Sequence, residues 1–525
     1  MVGKSWLQPL AGNRLMRRFA DAGLVRYAHR RTLALDRMDI AAVQERTLFR
    51  LLRKARNTQF ARDHEFHRIK TIADYQARVP LREYEDFWKQ YWGAVYPKLD
   101  GTTWPEKIPY YALSSGTTSG ATKYVPISRQ MLASNRKCAF TTLALFRHMY
   151  PKAHVFNGRV FFLGGSTTMR LQEDGSYGGD LSGIAIKEMT DITRPFLFPT
   201  LDLAHLSNWE EKVEHLAKAS ITERITVLSM VPSWGLILFR ELKKATGKSR
   251  IIDIWPDLKL IVHGGTRFDP YRELFRQEIG SDEVKFLDTY PASEGYIATE
   301  DPRFDLLRLF VDHNIFFEFV PVEELGKDRP TRHTVANVEL GVQYAVVMTT
   351  CAGLWAYVPG DTIVFERRDP LCLRFSGRTK YFLSAFGEHL ISEEVETAIT
   401  EAAKSSNAMI TDFHVGPIFA RDSSQPGHHR YLIEFRQPPT DIQQFTKLLD
   451  ESLCRLNEDY AAHRIGDLTM RAPEIVVVPE GGFAEWMRSR GKLGGQNKVP
   501  RMDNSGEMTL QISEFVSQSA GDVRS

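Results

Sequence analysis

Residues 113–128 read LSSGTTSGATKYVPIS. Five hydroxyls, on Ser114, Ser115, Thr117, Thr118 and Ser119, stand beside Gly116 and Gly120, and Lys123 follows. No side chain from Ser114 to Lys123 can anchor the run in a core. It offers flexible backbone N–H groups, small donors and one cation, which is what a chain needs to wrap a polyphosphate. It is not a Walker A loop, because Ala121 and Thr122 separate Gly120 from Lys123 where that pattern needs Gly-Lys-Ser/Thr. In isolation the run also fits an exposed Ser/Gly turn.

The residues that follow set the fold. Ser128 to Tyr150 has helical composition, so the Ser/Gly loop is expected to join a strand to a helix. Val160–Gly164 reads as a short buried strand before the small-residue turn at Gly165–Thr168. Ile225–Met230 is a second strand, broken by Val231-Pro232-Ser233 ahead of an apolar helix from Trp234 to Leu242. Leu258–Val262 is a third, ending in His263-Gly264-Gly265-Thr266, and Val284–Leu287 is a fourth, ending near Tyr290. Strand, small-residue turn and helix in repetition mark a parallel α/β sheet, whose ligands gather at the carboxyl ends of the strands. Phe316–Pro321 and Val342–Thr350 add alternating strands of a smaller barrel or antiparallel sheet. Upstream, Ile40, Val43, Leu48, Leu51 and Leu52 share one face of a helix over Met38–Ala55. Tyr75–Tyr96 is aromatic and charged, which suits helix and loop over a core. Downstream, helices over Glu393–Lys404 and Asp441–Leu456 flank a strand at Arg430–Phe435, a small α+β set. Nothing can be assigned after Gly506.

Composition excludes several classes. A chain of 525 residues calls for two or more domains. Its 43% hydrophobic and 25% charged residues are those of a soluble globular protein, and a net charge of +3 gives no reason to expect nucleic acid. Cys138, Cys351, Cys372 and Cys454 show neither metal-ligand nor disulfide spacing, which suits a reducing cytoplasm. No run reaches membrane-spanning length, since the most apolar one, Ile225–Phe239, is broken by Pro232. The basic N-terminus (Lys4, Arg14, Arg17, Arg18, Arg26, Arg30, Arg31) reads as a surface helix, with a transit peptide as the alternative.

Three later stretches complete the pattern: DTYPASEG at Asp288–Gly295, GLWAYVPGD at Gly353–Asp361 and GGQNKVPR at Gly494–Arg501. In this order, and with the Ser/Gly loop, they resemble the acyl acid amido synthetases, the family called GH3. That family belongs to the adenylate-forming superfamily of acyl-CoA ligases and nonribosomal-peptide adenylation domains. The likeness runs from near Tyr84 to Arg501. It implies a large N-terminal adenylation domain over 1–377, with ATP and acyl-acid sites, parallel α/β sheets and a small barrel-like β part. A small mobile α+β C-terminal lid over 378–525 would follow, the junction lying in RFSGRTKY near Gly377.

The implied activity is an ATP- and Mg2+-dependent ligase. A substrate carboxylate attacks the α-phosphorus of ATP, pyrophosphate leaves, and the acyl adenylate is joined to an amine, an amino acid above all. The barrier to such a step is mainly electrostatic and positional. By resemblance, the 114–119 loop and Lys123 hold phosphates, Ser293 touches phosphate oxygens and Glu294 ligates Mg2+. Tyr290 stacks on adenine, His263, Gly264 and Gly265 let adenine approach the backbone, and Asp361 accepts from the ribose hydroxyls. Arg378 reaches the ribose or the hinge, and Lys498 reaches the reacting carboxylate and the α-phosphate, so Lys498 and Glu294 are the catalytic pair. Taken singly, each has a plainer reading: a surface glutamate, a core tyrosine, a Pro-Gly-Asp turn, a tight strand-to-helix turn, a solvated lysine.

By position, Val231, Trp234, Ala292 and Phe316 are the acyl-pocket candidates, with core packing the competing reading for each. Two departures stand out. Ala356 and Val358 occupy places where the plant members carry arginines, and Pro291 stands where the family has a smaller residue. No base for the amine step stands out, His389, His414, His428 and His429 all reading as surface histidines. The alternatives are a thioester-forming relative and a nucleotide- or acyl-binding protein without turnover. Neither the acid, the amine nor the oligomeric state can be read from the sequence.

Overall fold

The computed structural model describes residues 14–522, apart from 116–121, 165–167, 191–192, 200–208, 266–267, 379–381, 384, 387, 389, 420–426, 458–459, 462–463, 465–469 and 491–498. Tyr110–Ser115 and Thr122–Ile127 pair antiparallel, with Ser114 opposite Lys123 and Leu113 opposite Tyr124. The Ser/Gly loop therefore connects two strands, not a strand and a helix as expected. Thr122-Lys-Tyr-Val-Pro-Ile is rich in β-formers, and its Val125 and Ile127 are buried. The helix begins only after it. Ser128 caps Arg129–Met149 by accepting from the Met131 amide at 3.1 Å, and its own hydroxyl donates to the Cys351 carbonyl at 2.5 Å. One serine so fixes the helix start, worth about 1 kcal/mol as a cap, and ties the hairpin to the chain just before Gly353–Asp361.

Among the described residues, the largest sheet has eleven strands. From one edge these are Ile315–Pro321, Gln343–Thr350, Asp361–Arg367, Cys372–Arg378, Leu306–Leu309, Gly295–Asp301, Lys285–Ala292, Leu260–Gly264, Ile225–Met230, Arg159–Phe162 and Leu197–Phe198. The last five pair parallel, as the strand-turn-helix rhythm predicts. In Ile225–Met230 five of six residues are buried, which is how a strand covered on both faces reads. The alternating strands of the later half are antiparallel and continue this same sheet. Their side chains fill the main core with Phe316, Phe317, Phe319, Val346 and Val347, none of them exposed.

The Ile40–Ala55 helix is capped by Asp39 and buries Leu48, Leu51, Leu52 and Ala55, as its periodicity requires. The N-terminal basic stretch forms the helix Arg14–Asp36. It is held by Asp21, 2% exposed, which accepts from Arg147 at 2.9 Å and pairs with His154 at 2.7 Å. No described helix is long and apolar enough to cross a membrane.

The chain forms two compact units, one of 1–266 and 278–375, the other of 267–277 and 376–525. The second holds a three-stranded sheet in which His428–Gln437 lies between antiparallel Met409–Ile418 and parallel Glu474–Val478. Helices Ser392–Ser405 and Ile442–Leu456 bury Val395, Ile399, Phe445 and Leu449 in a core shared with this sheet. The tail that carried no reading forms the helix Glu507–Asp522, whose Ile512 and Val516 are buried with Phe483 and Trp486.

Candidate active site

Three parallel strands of the first unit end level with one another. Met230 lies opposite His263, and His263 opposite Asp288. The next residues along, Val231, Gly264 and Thr289, therefore form a row at the carboxyl ends. The row is tight: a Cβ on Gly264 would lie 2.4 Å from the Thr289 carbonyl oxygen. Glycine is thus imposed there by the neighbouring backbone. The Thr289 hydroxyl donates to the His263 carbonyl at 2.7 Å, and the buried His263 ring has Nδ1 3.4 Å from an Asp288 carboxylate oxygen. Gly265 follows with φ 80°, a left-handed turn out of the strand.

Lys285–Ala292 then turns back through Ser293-Glu294 into Gly295–Asp301, Ala292 pairing with Gly295. This two-residue turn projects Glu294. The hydroxyl of Tyr357, 1% exposed, donates to Glu294 Oε1 at 2.9 Å. Desolvation pushes the Glu294 carboxyl above the usual range, the Asp361 charge adds to that shift, and the Tyr357 hydrogen bond and Lys123 charge oppose it. Lys123, opposite Ser114 on the hairpin, also lies 5.5 Å from the Tyr84 ring centre. Tyr290 donates its hydroxyl to Asp361 Oδ2 at 2.8 Å, and its ring meets Phe375 edge-on at 5.4 Å. A cation, two carboxylates and two phenols from three separate stretches are thus brought together.

The other expected residues fall as follows. Ser115 ends its strand, and Gly116, Thr117, Thr118 and Ser119 lie outside the described residues, as does Lys498. Arg378 ends the strand Cys372–Arg378 and belongs to the second unit. Val231 precedes the helix Pro232–Thr246, in which Trp234 is 8% exposed, and Ala292 is partly buried beside Ser293. Phe316 is fully buried with its ring edge-on to Tyr75.

The two departures from the plant pattern are also located. Ala356 is fully buried with φ 47°, its amide donating to Thr349 Oγ1 at 3.0 Å; Val358 is partly buried.

The histidines require a correction. His414, His428 and His429 are buried, at 0%, 7% and 1% exposure, not on the surface. His414 sits between the Pro500 carbonyl and Thr509, His429 pairs with Glu388 at 2.7 Å and His428 with Glu474 at 2.8 Å. His389 lies outside the described residues. Tyr357 is the functional candidate that reading the sequence missed. Its signal is its place in YVPGD, between Ala356 and Val358. Among the described residues, no group of three His, Cys, Asp or Glu side chains could hold a metal.

The fold is found among solved structures. It matches the solved GH3.15 acyl acid amido synthetase with a TM-score of 0.76 at 18% identity, over 93% of this chain and 95% of that one. It also matches a 2-hydroxyisobutyryl-CoA ligase at 0.59 and 13% identity, over 90% and 91%. Residues 30–284 match the GH3 family N-terminal domain, 308–378 its central domain and 393–507 its C-terminal domain. The chain belongs to the GH3 family. Its relatives include the jasmonoyl–L-amino acid synthetase GH3.5 of Oryza sativa subsp. japonica, 24% identical over 92% of this chain and 96% of that protein. Another is the indole-3-acetic acid-amido synthetase GH3.3 of Arabidopsis thaliana, 25% identical over 56% of this chain and 54% of that protein.

Proposed function

We propose that this protein is an ATP-dependent acid–amino acid ligase that adenylates a small carboxylic acid and conjugates the acyl group to an amino acid. The observation that carries the reading is the cluster of Lys123, Glu294, Tyr290 and Asp361 at the carboxyl end of the sheet, in a chain whose full-length relatives are amino acid synthetases. Lys123 and the Ser/Gly loop hold the departing phosphates by charge and backbone N–H groups. Asp361, a carboxylate that accepts from Tyr290, is the acceptor for the ribose hydroxyls. The His263-Gly264-Gly265 turn gives adenine a flat backbone approach. Lys498 and Arg378 are further nucleotide-binding candidates, and the C-terminal domain over 378–525 is the proposed lid. Val231, Trp234 and Ala292 border the acyl pocket. A cytoplasmic setting suits the four free cysteines.

Glu294 fits a magnesium site. Its carboxylate is destabilised by desolvation, which a cation relieves, and Tyr357 engages only Oε1. One carboxylate is the donor set expected where waters and phosphates complete the shell, and Mg2+ there would neutralise phosphate charge. The test is acid-dependent exchange of pyrophosphate into ATP over a panel of aryl, indolyl and fatty carboxylates without amine. Exchange with one acid, lost in Glu294→Gln, supports the reading. ATP binding with no exchange across the panel counts against it, and coenzyme A-dependent ATP consumption would replace it with thioester formation.

A further inference from the structure

Tyr357 is fixed by the packing of its ring and by its backbone. Its ring is 1% exposed and packs 6.1 Å from Phe87, centre to centre. Its backbone is held on one side by Met348, with Tyr357 N donating to Met348 O at 2.9 Å and Met348 N to Tyr357 O at 2.8 Å. On the other side Arg82 brackets it, donating to the Ala356 carbonyl at 3.1 Å and accepting from the Val358 amide at 2.8 Å. Glu294 is the opposite case: a long side chain on a two-residue turn, with rotamers to choose among. The hydroxyl–carboxylate bond of 2.9 Å joins the rigid partner to the adaptable one.

We infer that Tyr357 is the positioning residue for Glu294. By occupying Oε1 from a fixed point, it selects one side-chain rotamer and leaves Oε2 as the oxygen presented to a cation. This assignment rests on the proposed role of Glu294 in magnesium binding. Partners that orient a ligating carboxylate in this way commonly change metal affinity by 10- to 100-fold when removed.

The test is equilibrium ATP binding titrated against Mg2+ in the full-length chain, with Tyr357→Phe keeping the ring and removing the donor. The expected result is a half-saturating Mg2+ concentration raised about tenfold, with ATP affinity in EDTA unchanged. A Mg2+ dependence equal to wild type overturns the assignment. Glu294→Gln run alongside separates the two claims: if it, too, leaves the Mg2+ dependence unchanged, the metal reading itself fails. Should Tyr357→Phe not fold, 3-fluorotyrosine at position 357 reads the same contact by 19F resonance. The signal should move on adding ATP with Mg2+ and stay in place with ATP in EDTA; a signal indifferent to Mg2+ overturns the assignment.

Discussion

Tyr290 and Asp361, 71 residues apart, are joined by a 2.8 Å hydrogen bond between two nearly buried side chains. Each belongs to a different sequence motif, so the bond stitches two motifs into one site. Asp361→Ala should lower ATP affinity by tenfold or more while leaving the fold intact, read by calorimetry. Tyr290→Phe should cost about 1–2 kcal/mol of stability, because the buried carboxylate loses a donor. An unchanged urea midpoint for Tyr290→Phe would mean that water replaces the hydroxyl without loss.

The second unit is pinned by Arg501. Its guanidinium donates to the Tyr271 hydroxyl at 3.0 Å, lies 4.5 Å from the Phe413 ring centre, and has Glu396 and Asp412 oxygens at 3.7 Å. Arg501→Met should cost about 3–5 kcal/mol, since two partly buried carboxylates lose their counter-charge. Tyr271→Phe should cost about 1 kcal/mol. Denaturant unfolding of the two variants checks the order, and a neutral Arg501→Met would show that the cluster holds nothing together.

Acid should destabilise the protein through two histidines. Burial pushes both His313 and His414 down to about 4 from 6.5. The unfolded chain therefore takes up protons first as pH falls. Stability is whole above pH 6.5 and is lost between 6.5 and 4, by about 3 kcal/mol per histidine at most. Urea midpoints at pH 7 and pH 5 measure this, and His414→Gln should flatten the slope. An equally steep loss in that variant would assign the effect elsewhere.

Glu434 works in the opposite sense. Burial raises its carboxyl to about 7 from 4.5, although it accepts the Gly481 amide at 2.9 Å. The folded state binds this proton more tightly, so its contribution grows as pH falls from 7 toward 4.5 and is absent above 7. Glu434→Gln should therefore stabilise the protein at pH 8 by about 1–3 kcal/mol, and by less at pH 5. Thermal unfolding at both values would reveal it; a gain of equal size at both would contradict it.

Much of the site was legible because its residues sit at strand ends, where hydrophobic runs stop and small residues begin. The turn His263-Gly264-Gly265 and the strand running up to Tyr290 show that pattern, whereas the roles of Tyr290, Glu294 and Asp361 come from the resemblance to the GH3 family. What could not be read was pairing across the chain. The bonds of Tyr290 to Asp361 and of Tyr357 to Glu294 are long-range, and no local pattern encodes them. His428 and His429 looked superficial because they follow a polar stretch, yet adjacent strand residues face opposite sides and here both sides are covered. The helix Glu507–Asp522 was overlooked for its serines, although Thr509, Ile512 and Val516 keep helical spacing and are buried. The strand Thr122–Ile127 is short, and short runs carry little periodicity, so the sequence shows the helix from Ser128 more plainly than the strand before it.

The segment 267–277 groups with residues 376–525, although it is flanked on both sides by chain of the other unit. This has a consequence for synthesis on the ribosome. Its Phe268, Tyr271 and Phe275 are translated well before the strand Met409–Ile418 and Arg501 that belong to the same unit. At roughly 5–20 residues per second, the wait is on the order of ten seconds. During that time Tyr271 is without the Arg501 guanidinium that donates to its hydroxyl. A gene fragment ending before Ser376 would leave the segment without the rest of its unit, so the two units are poor candidates for separate expression.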